Sequence, residues 1–230
     1  MSISDSFPYS ILQTDPFIAP DFSSCALINI DTQSDTLDGR PLEIPGTSAA
    51  LPNIRTILDA FRASRKWVIH VVRIYKSDGS NVDICRRTKV REGAEILAPE
   101  SPGVQLAPDL RPGGMPSLET DALLSGGFQS ISDSEAIMYK PRWGAFYGTQ
   151  LESFLKAKGI DTLIFTGCNF PNCPRTSIYE ASERDFKTVL ITDAVSGLYE
   201  KGWQEMKNIG TSLIDTQGLL ALLGRHISGT

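Results

Sequence analysis

The sequence predicts an α/β fold in which helices cover both faces of a mostly parallel sheet. Three observations carry that prediction. Short, continuous apolar runs of strand length recur along the chain, the pattern of strands buried on both faces; Cys25–Ile30 (CALINI), Asp161–Thr166 (DTLIFT) and Lys187–Thr192 (KTVLIT) are the clearest. Between them lie segments whose apolar residues recur at helical spacing. Strand and helix then alternate in order, as parallel strands joined by helical crossovers require.

The elements follow in sequence. Residues 1–24 are rich in Pro and Ser and read as an irregular arm. Cys25–Ile30 is the first strand. A helix over Ala49–Arg65 rests on Ile54, Ile57, Leu58 and Phe61, and Trp67–Arg73 is the second strand. Residues 76–130 carry Asp78-Gly79, Pro99, Pro102, Pro108, Pro112, Gly113-Gly114 and Gly126-Gly127, which break any long element. An irregular stretch of that length in a compact domain is usually functional, and a lid is one role open to it. Beyond it come a strand over Glu135–Tyr139 and a helix over Gln150–Lys158 that ends at Gly159, a C-cap residue. The strand Asp161–Thr166 leads to a helix over Pro174–Asp185, with Pro174 acceptable in its first turn. The strand Lys187–Thr192, a helix over Gly202–Ile209, a short strand over Ser212–Ile214 and a helix over Gln217–Arg225 complete the chain. No repeat or linker divides residues 1–230, so one domain is expected.

Composition narrows the function. A formal charge of −5 without a basic run argues against a nucleic-acid partner. No apolar run approaches the roughly 20 residues of a membrane helix. The opening MSISDSFPYS lacks the pattern of a secretory leader. Four cysteines are too few for a disulfide framework, so a reducing, cytoplasmic location is expected. Only His70 and His226 are present. His70 lies inside an apolar strand, where a core histidine is the ordinary reading, and His226 is four residues from the end. No nucleophile elbow, zinc signature or phosphate loop occurs. Any catalysis must therefore use other side chains.

In open α/β sheets, ligands bind beyond the carboxyl ends of the strands. Asp31 follows the first strand; Lys140, held extended by Pro141, follows EAIMY; and Gly167-Cys168-Asn169-Phe170-Pro171-Asn172-Cys173 follows DTLIFT and precedes a helix. A carboxylate, an ammonium and a thiol thus arrive at one sheet edge. Each alone has an ordinary explanation: a turn cap, a solvated charge, a buried small hydrophobe. Together they form a coherent nucleophilic site. A cysteine at a helix N-terminus beside a cation is expected to have a lowered pKa. Asp31 would take the thiol proton and return it to a leaving amine, and Lys140 would stabilise developing negative charge. Backbone N–H groups around Cys173 would cradle an oxyanion.

These residues resemble the isochorismatase-like cysteine hydrolase family over roughly residues 25–220. The resemblance rests on Ile30-Asp31-Thr32-Gln33, on Lys140 with Trp143-Gly144-Ala145-Phe146-Tyr147-Gly148-Thr149 and Leu151, and on Thr166-Gly167 with Cys173 six residues on. Thr176, Ala181, Asp193-Ala194 and Gly197 fit the later pattern. It implies a Rossmann-like three-layer α/β/α fold, an Asp31-Lys140-Cys173 triad, and a cis peptide between Cys168 and Asn169. That peptide would aim the N–H of Asn169, with that of Cys173, at the substrate oxygen. It further implies a homo-oligomer and no cofactor. The Asp-x-His metal motif of nicotinamidase-type members is missing, so no metal is expected. Phe170-Pro171-Asn172-Cys173-Pro174-Arg175 departs from the usual nucleophile turn. This stretch and Asp78-Gly79-Ser80-Asn81-Val82-Asp83 look most like the subgroup that includes streptothricin hydrolases.

The expected activity is hydrolysis of a C–N bond (amide, lactam or ureido) in a small molecule through a thioester. Isochorismatase-type vinyl-ether hydrolysis and a non-catalytic binding role on the same fold are the alternatives. Gln33, Arg86, Trp143, Phe146, Tyr147 and Phe170 are candidate substrate contacts, although the aromatics equally suit a packed loop and Arg86-Arg87 a solvated basic turn. Cys168 is near enough to Cys173 in sequence for oxidation to pair them, if geometry allows.

Overall fold

The computed structural model describes residues 10–227; the first nine residues of the arm and the side chain of His226 lie outside that description. Seven strands form one sheet: β1 (Cys25–Ile30), β2 (Trp67–Val72), β3 (Phe128–Ser132), β4 (Glu135–Tyr139), β5 (Thr162–Gly167), β6 (Lys187–Val195) and β7 (Ser212–Ile214). Their order is β3-β4-β2-β1-β5-β6-β7, and only β3 runs antiparallel to its neighbour. The helices are α1 (Thr47–Ala63), α2 (Ile84–Arg91), α3 (Thr120–Leu124), α4 (Leu151–Ala157), α5 (Cys173–Ser182), α6 (Glu200–Asn208) and α7 (Thr216–Ile227).

Alternation along the strands builds two cores. Ala26, Ile28 and Ile30 of β1 face a cluster with Leu151 and Leu155 of α4, Ile178 and Ala181 of α5, and Trp203 and Met206 of α6. Leu27, from the other side of β1, joins Ile54, Ile57, Leu58 and Phe61 of α1 and Leu219 and Leu223 of α7. The result is the three-layer, Rossmann-like α/β/α arrangement expected from the sequence. Strand order reverses between β1 and β5, so the crevice beyond their carboxyl ends is the topological switch point.

The segment 76–130 departs from the irregular stretch expected of it. It holds α2, α3, two 3-10 turns and most of β3. Its middle is tied to the sheet: Gln33 bridges Leu106, Ala107 donates to the Thr32 carbonyl (3.0 Å), and Val104, Leu106 and Leu110 are buried. The N-terminal arm is also fastened. Ile11 exchanges two backbone hydrogen bonds with Leu213 of β7, at 2.6 and 2.8 Å. Elsewhere the ends of elements shift by a few residues, as helix ends do. No helix among the described residues is long and apolar enough to cross a membrane.

Candidate active site

Asp31 leaves β1 in a left-handed conformation, φ 51°. That region disfavours most residues but admits Asp. The strained backbone is fixed on both sides. Its N–H donates to the Val71 carbonyl (2.8 Å), and its own carbonyl accepts from Gln33 N (2.9 Å) and Cys168 Sγ (3.0 Å). The carboxylate therefore projects from a rigid corner.

Lys140 continues β4, with its N–H bonded to the Val72 carbonyl (3.0 Å). Its side chain is 0% exposed and crosses the end of β2 to Asp31, Nζ to Oδ2 2.8 Å; Nζ also donates to the Arg142 carbonyl at 3.2 Å. Oδ1 of Asp31 is buried and has no hydrogen-bond partner among the described residues. Cys173 opens α5, and the Asp31 carboxylate is near enough to its thiol to act on its ionisation. The structure thus brings Asp31, Lys140 and Cys173 together.

The thiol is not activated in the way the sequence suggests. Burial first, then the charge of Asp31, push its pKa up to about 12, against the opposing pull of Lys140 and Arg73. The lowered value expected from the helix terminus and the cation is overturned because Cys173 is only 7% exposed and faces a carboxylate. Its resting form at neutral pH is the thiol.

The turn before Cys173 is all trans, as are all the peptide bonds of the described residues, so the cis bond implied between Cys168 and Asn169 is absent. The trans form, the lower in energy for a non-proline bond, is accommodated by Phe170 N donating to Ser196 O (2.7 Å) and Asn172 N to Asn169 O (3.0 Å). The N–H groups of Asn169 and Cys173 have no acceptor among the described residues. Pro174 follows at a position whose N–H would be unsatisfied in any case. All four cysteines are free thiols.

The remaining candidates divide. Gln33 is a framework residue: Nε2 donates to the carbonyls of Arg73 (2.8 Å) and Val104 (2.6 Å), and Oε1 accepts from Arg73 N (2.8 Å). Phe170 is buried with its ring edge against Tyr199, and Phe146 is buried against Phe186. Trp143 packs on the same core, while Tyr147 is 60% exposed. The run Trp143–Gly148 fastens the loop after β4 to α5: Ala145 N donates to Ser177 Oγ (3.0 Å) and Phe146 N to Glu180 Oε2 (2.8 Å). It thereby sets the loop carrying Lys140 against the helix that begins with Cys173. His70 is the buried structural histidine expected, 2.8 Å from Glu135.

Arg86 donates to the Tyr75 hydroxyl (3.0 Å), beside an ion pair between Arg73 and Asp83. Burial alone would raise the Asp83 carboxyl, but the charge of Arg73 and hydrogen bonds from Arg73 and Tyr75 hold it below the usual range. Sequence reasoning missed Arg73, Tyr75 and Asp83. The missed signal is plain for Arg73, a charged residue closing a buried strand, as Asp31 and Lys140 do. No group of three or more metal-ligating side chains is clustered among the described residues.

An isochorismatase-domain profile matches residues 25–218, from the first residue of β1 into α7. The chain belongs to the isochorismatase family. This isochorismatase-family chain is 28% identical over 199 residues to an Arabidopsis thaliana protein named a probable inactive nicotinamidase, covering 84% of this chain and 93% of the relative. It is 28% identical over 192 residues to the N-carbamoylsarcosine amidase of an Arthrobacter species, covering 80% of this chain and 65% of that enzyme. Among solved structures, an isochorismatase family protein from Desulfovibrio vulgaris superposes with a TM-score of 0.74 at 29% identity, covering 87% of this chain and 98% of that one. Amidases are thus among the isochorismatase-family proteins to which the chain is similar.

Proposed function

We propose that the protein is a cysteine-dependent amidohydrolase that cleaves a C–N bond in a small molecule. The observation that carries the reading is the buried Lys140–Asp31 ion pair, 2.8 Å, whose carboxylate keeps one oxygen unpartnered among the described residues and acts on the Cys173 thiol. A thiol kept protonated by burial needs a base at the moment of attack, and Asp31 is the base in place. Oδ1 takes the Sγ proton as sulfur forms its bond to the carbonyl carbon, and the C=O π pair moves onto oxygen. The N–H groups of Asn169 and Cys173, left without acceptors in the trans turn, are the donors available to that oxyanion. When the C–N bond breaks, Asp31 returns the proton to the departing nitrogen, and a thioester remains. A water then attacks, giving its proton to Asp31. The C–S bond breaks, and the sulfur recovers that proton. Lys140 accompanies Asp31 through both halves and fixes which oxygen faces the sulfur.

The test is ammonia or amine release from a panel of amides, lactams and ureido compounds, with Cys173→Ala and Asp31→Asn as paired variants. Loss of at least about 10⁴-fold in Cys173→Ala is expected, and of about 10²–10⁴-fold in Asp31→Asn. A thioester adduct on Cys173 should be visible by mass spectrometry under acid quench. Release undiminished in Cys173→Ala overturns the reading, and isochorismate is then the substrate to try.

A further inference from the structure

Between the strands that deliver Asp31 and Lys140 lies β2, and Arg73 is its first residue beyond the end. Its backbone is clamped by the Gln33 side chain on both its N–H and its carbonyl, each at 2.8 Å. Asp83 and Tyr75 hold the side chain. Nη2 bonds to Asp83 and lies 3.4 Å from the Tyr75 hydroxyl. Nη1 is buried and has no partner among the described residues, although Arg73 is only 3% exposed. A guanidinium nitrogen left unpaired in the interior is costly unless something else completes it. The Lys140 ammonium cannot, and the Asp31 carboxylate does not: Oδ2 is paired with Lys140, and Oδ1 makes no hydrogen bond to the guanidinium.

The charges point the same way. Lys140, Arg73 and Arg86 are positive and gather around Asp31 and Asp83, leaving one positive charge in excess. Moving a proton from Cys173 to Asp31 does not alter that sum, so the excess is not there to balance a thiolate. The charges of Asp31 and Asp83 reach Arg73 and help hold its guanidinium protonated against burial.

We propose that Arg73 receives a carboxylate on the substrate, so that the amide or ureido group cleaved at Cys173 belongs to an acid. Arg73 is one strand away from Asp31, and Cys173 follows the strand beyond that. The carboxylate and the scissile carbonyl are therefore separated by about 5–10 Å, one or two strand spacings. This inference rests on the amidohydrolase reading and deepens it.

The experiment compares ammonia release from succinamate and from N-carbamoylglycine, each beside its uncharged methyl ester, with nicotinamide as a further neutral amide. The wild type is expected to favour each acid over its ester by about 100-fold or more in kcat/KM. Arg73→Gln should bring that ratio close to one, and Arg73→Lys should recover part of it. A merely structural role would lower both rates and leave the ratio. Because Arg73→Gln leaves the buried Asp83 carboxylate without its main partner, Arg73→Gln/Asp83→Asn removes both charges and should show the same loss of preference. Equal cleavage of acid and ester by the wild type, or an acid preference that survives in these variants, overturns the inference. Cleavage of neutral amides alone, abolished in Cys173→Ala, overturns it and leaves the amidohydrolase reading standing. Silence toward acids and neutral amides alike overturns both.

Discussion

Burial and a neighbouring carboxylate decide the resting state of Cys173, and the consequence is measurable. A thiol whose pKa is raised to about 12 is protonated throughout the neutral and mildly alkaline range. The difference in ultraviolet thiolate absorbance between the wild type and Cys173→Ala should stay flat from neutral pH to well short of 12. A thiolate step near neutrality would show a preformed ion pair instead, and Asp31 would then lose its part as the accepting base. At this scale the sequence was informative where a charged residue closed an apolar run. Asp31 and Lys140 stood out for that reason, and Arg73 carried the same mark on Trp67–Val72. The state of the thiol was not legible, because it depends on how deeply the turn is buried and on which carboxylate faces it. Gln33 looked like a substrate contact, but its amide is engaged by backbone groups of Arg73 and Val104, residues 40 and 71 positions away.

At the scale of elements, the join between β1 and β5 holds the site together. Gly167 ends β5 with φ 111°, and a Cβ there would lie 2.0 Å from the Ile30 carbonyl oxygen. That carbonyl also accepts from Cys168 N (2.9 Å), so it has little room to retreat. Gly167→Ala should cost about 3 kcal/mol or more, from overpacking and a disfavoured backbone together, read as a lowered denaturant midpoint. A change below about 0.5 kcal/mol, the usual size for an unconstrained surface position, would show that the two strands can part. The buried strands were legible to within a few residues, because an apolar run needs no partner to be recognised. β3 was not, since FQSIS is a half-exposed edge strand with a weak pattern, placed just after Gly126-Gly127. α2 was missed because ICRRTKVR buries only Val90 and has no apolar stripe.

Across the whole molecule, charge is gathered at both ends of the sheet. At the end opposite Cys173, Glu135 opens β4 and takes hydrogen bonds from Arg62 (2.7 and 2.9 Å) while lying 2.8 Å from His70 Nε2. Burial would raise its carboxyl, but the hydrogen bonds and charges of His70 and Arg62 push it down to about 2, from an ordinary value of 4.5. A carboxyl with a depressed folded-state pKa stabilises the fold above the unfolded value and loses that contribution as pH falls toward the folded one. Thermal stability should therefore fall as pH drops from 4.5 toward 2, and Glu135→Gln should flatten part of that slope. An unchanged slope in the variant would remove Glu135 from the account. The architecture as a whole was legible, because alternation of strands and helices constrains topology strongly; the anchoring of residues 102–118 onto the sheet, through contacts distant in sequence, was not.

The two backbone bonds between Ile11 and Leu213 have a consequence for self-association. They occupy the outward N–H and carbonyl of the middle residue of β7, the groups an incoming strand from a second molecule would need. That margin of the sheet is stoppered by the chain's own leading segment. Among the described strands, only β3 retains an open flank, so a sheet running on from one molecule into the next would have to pass through Phe128–Ser132.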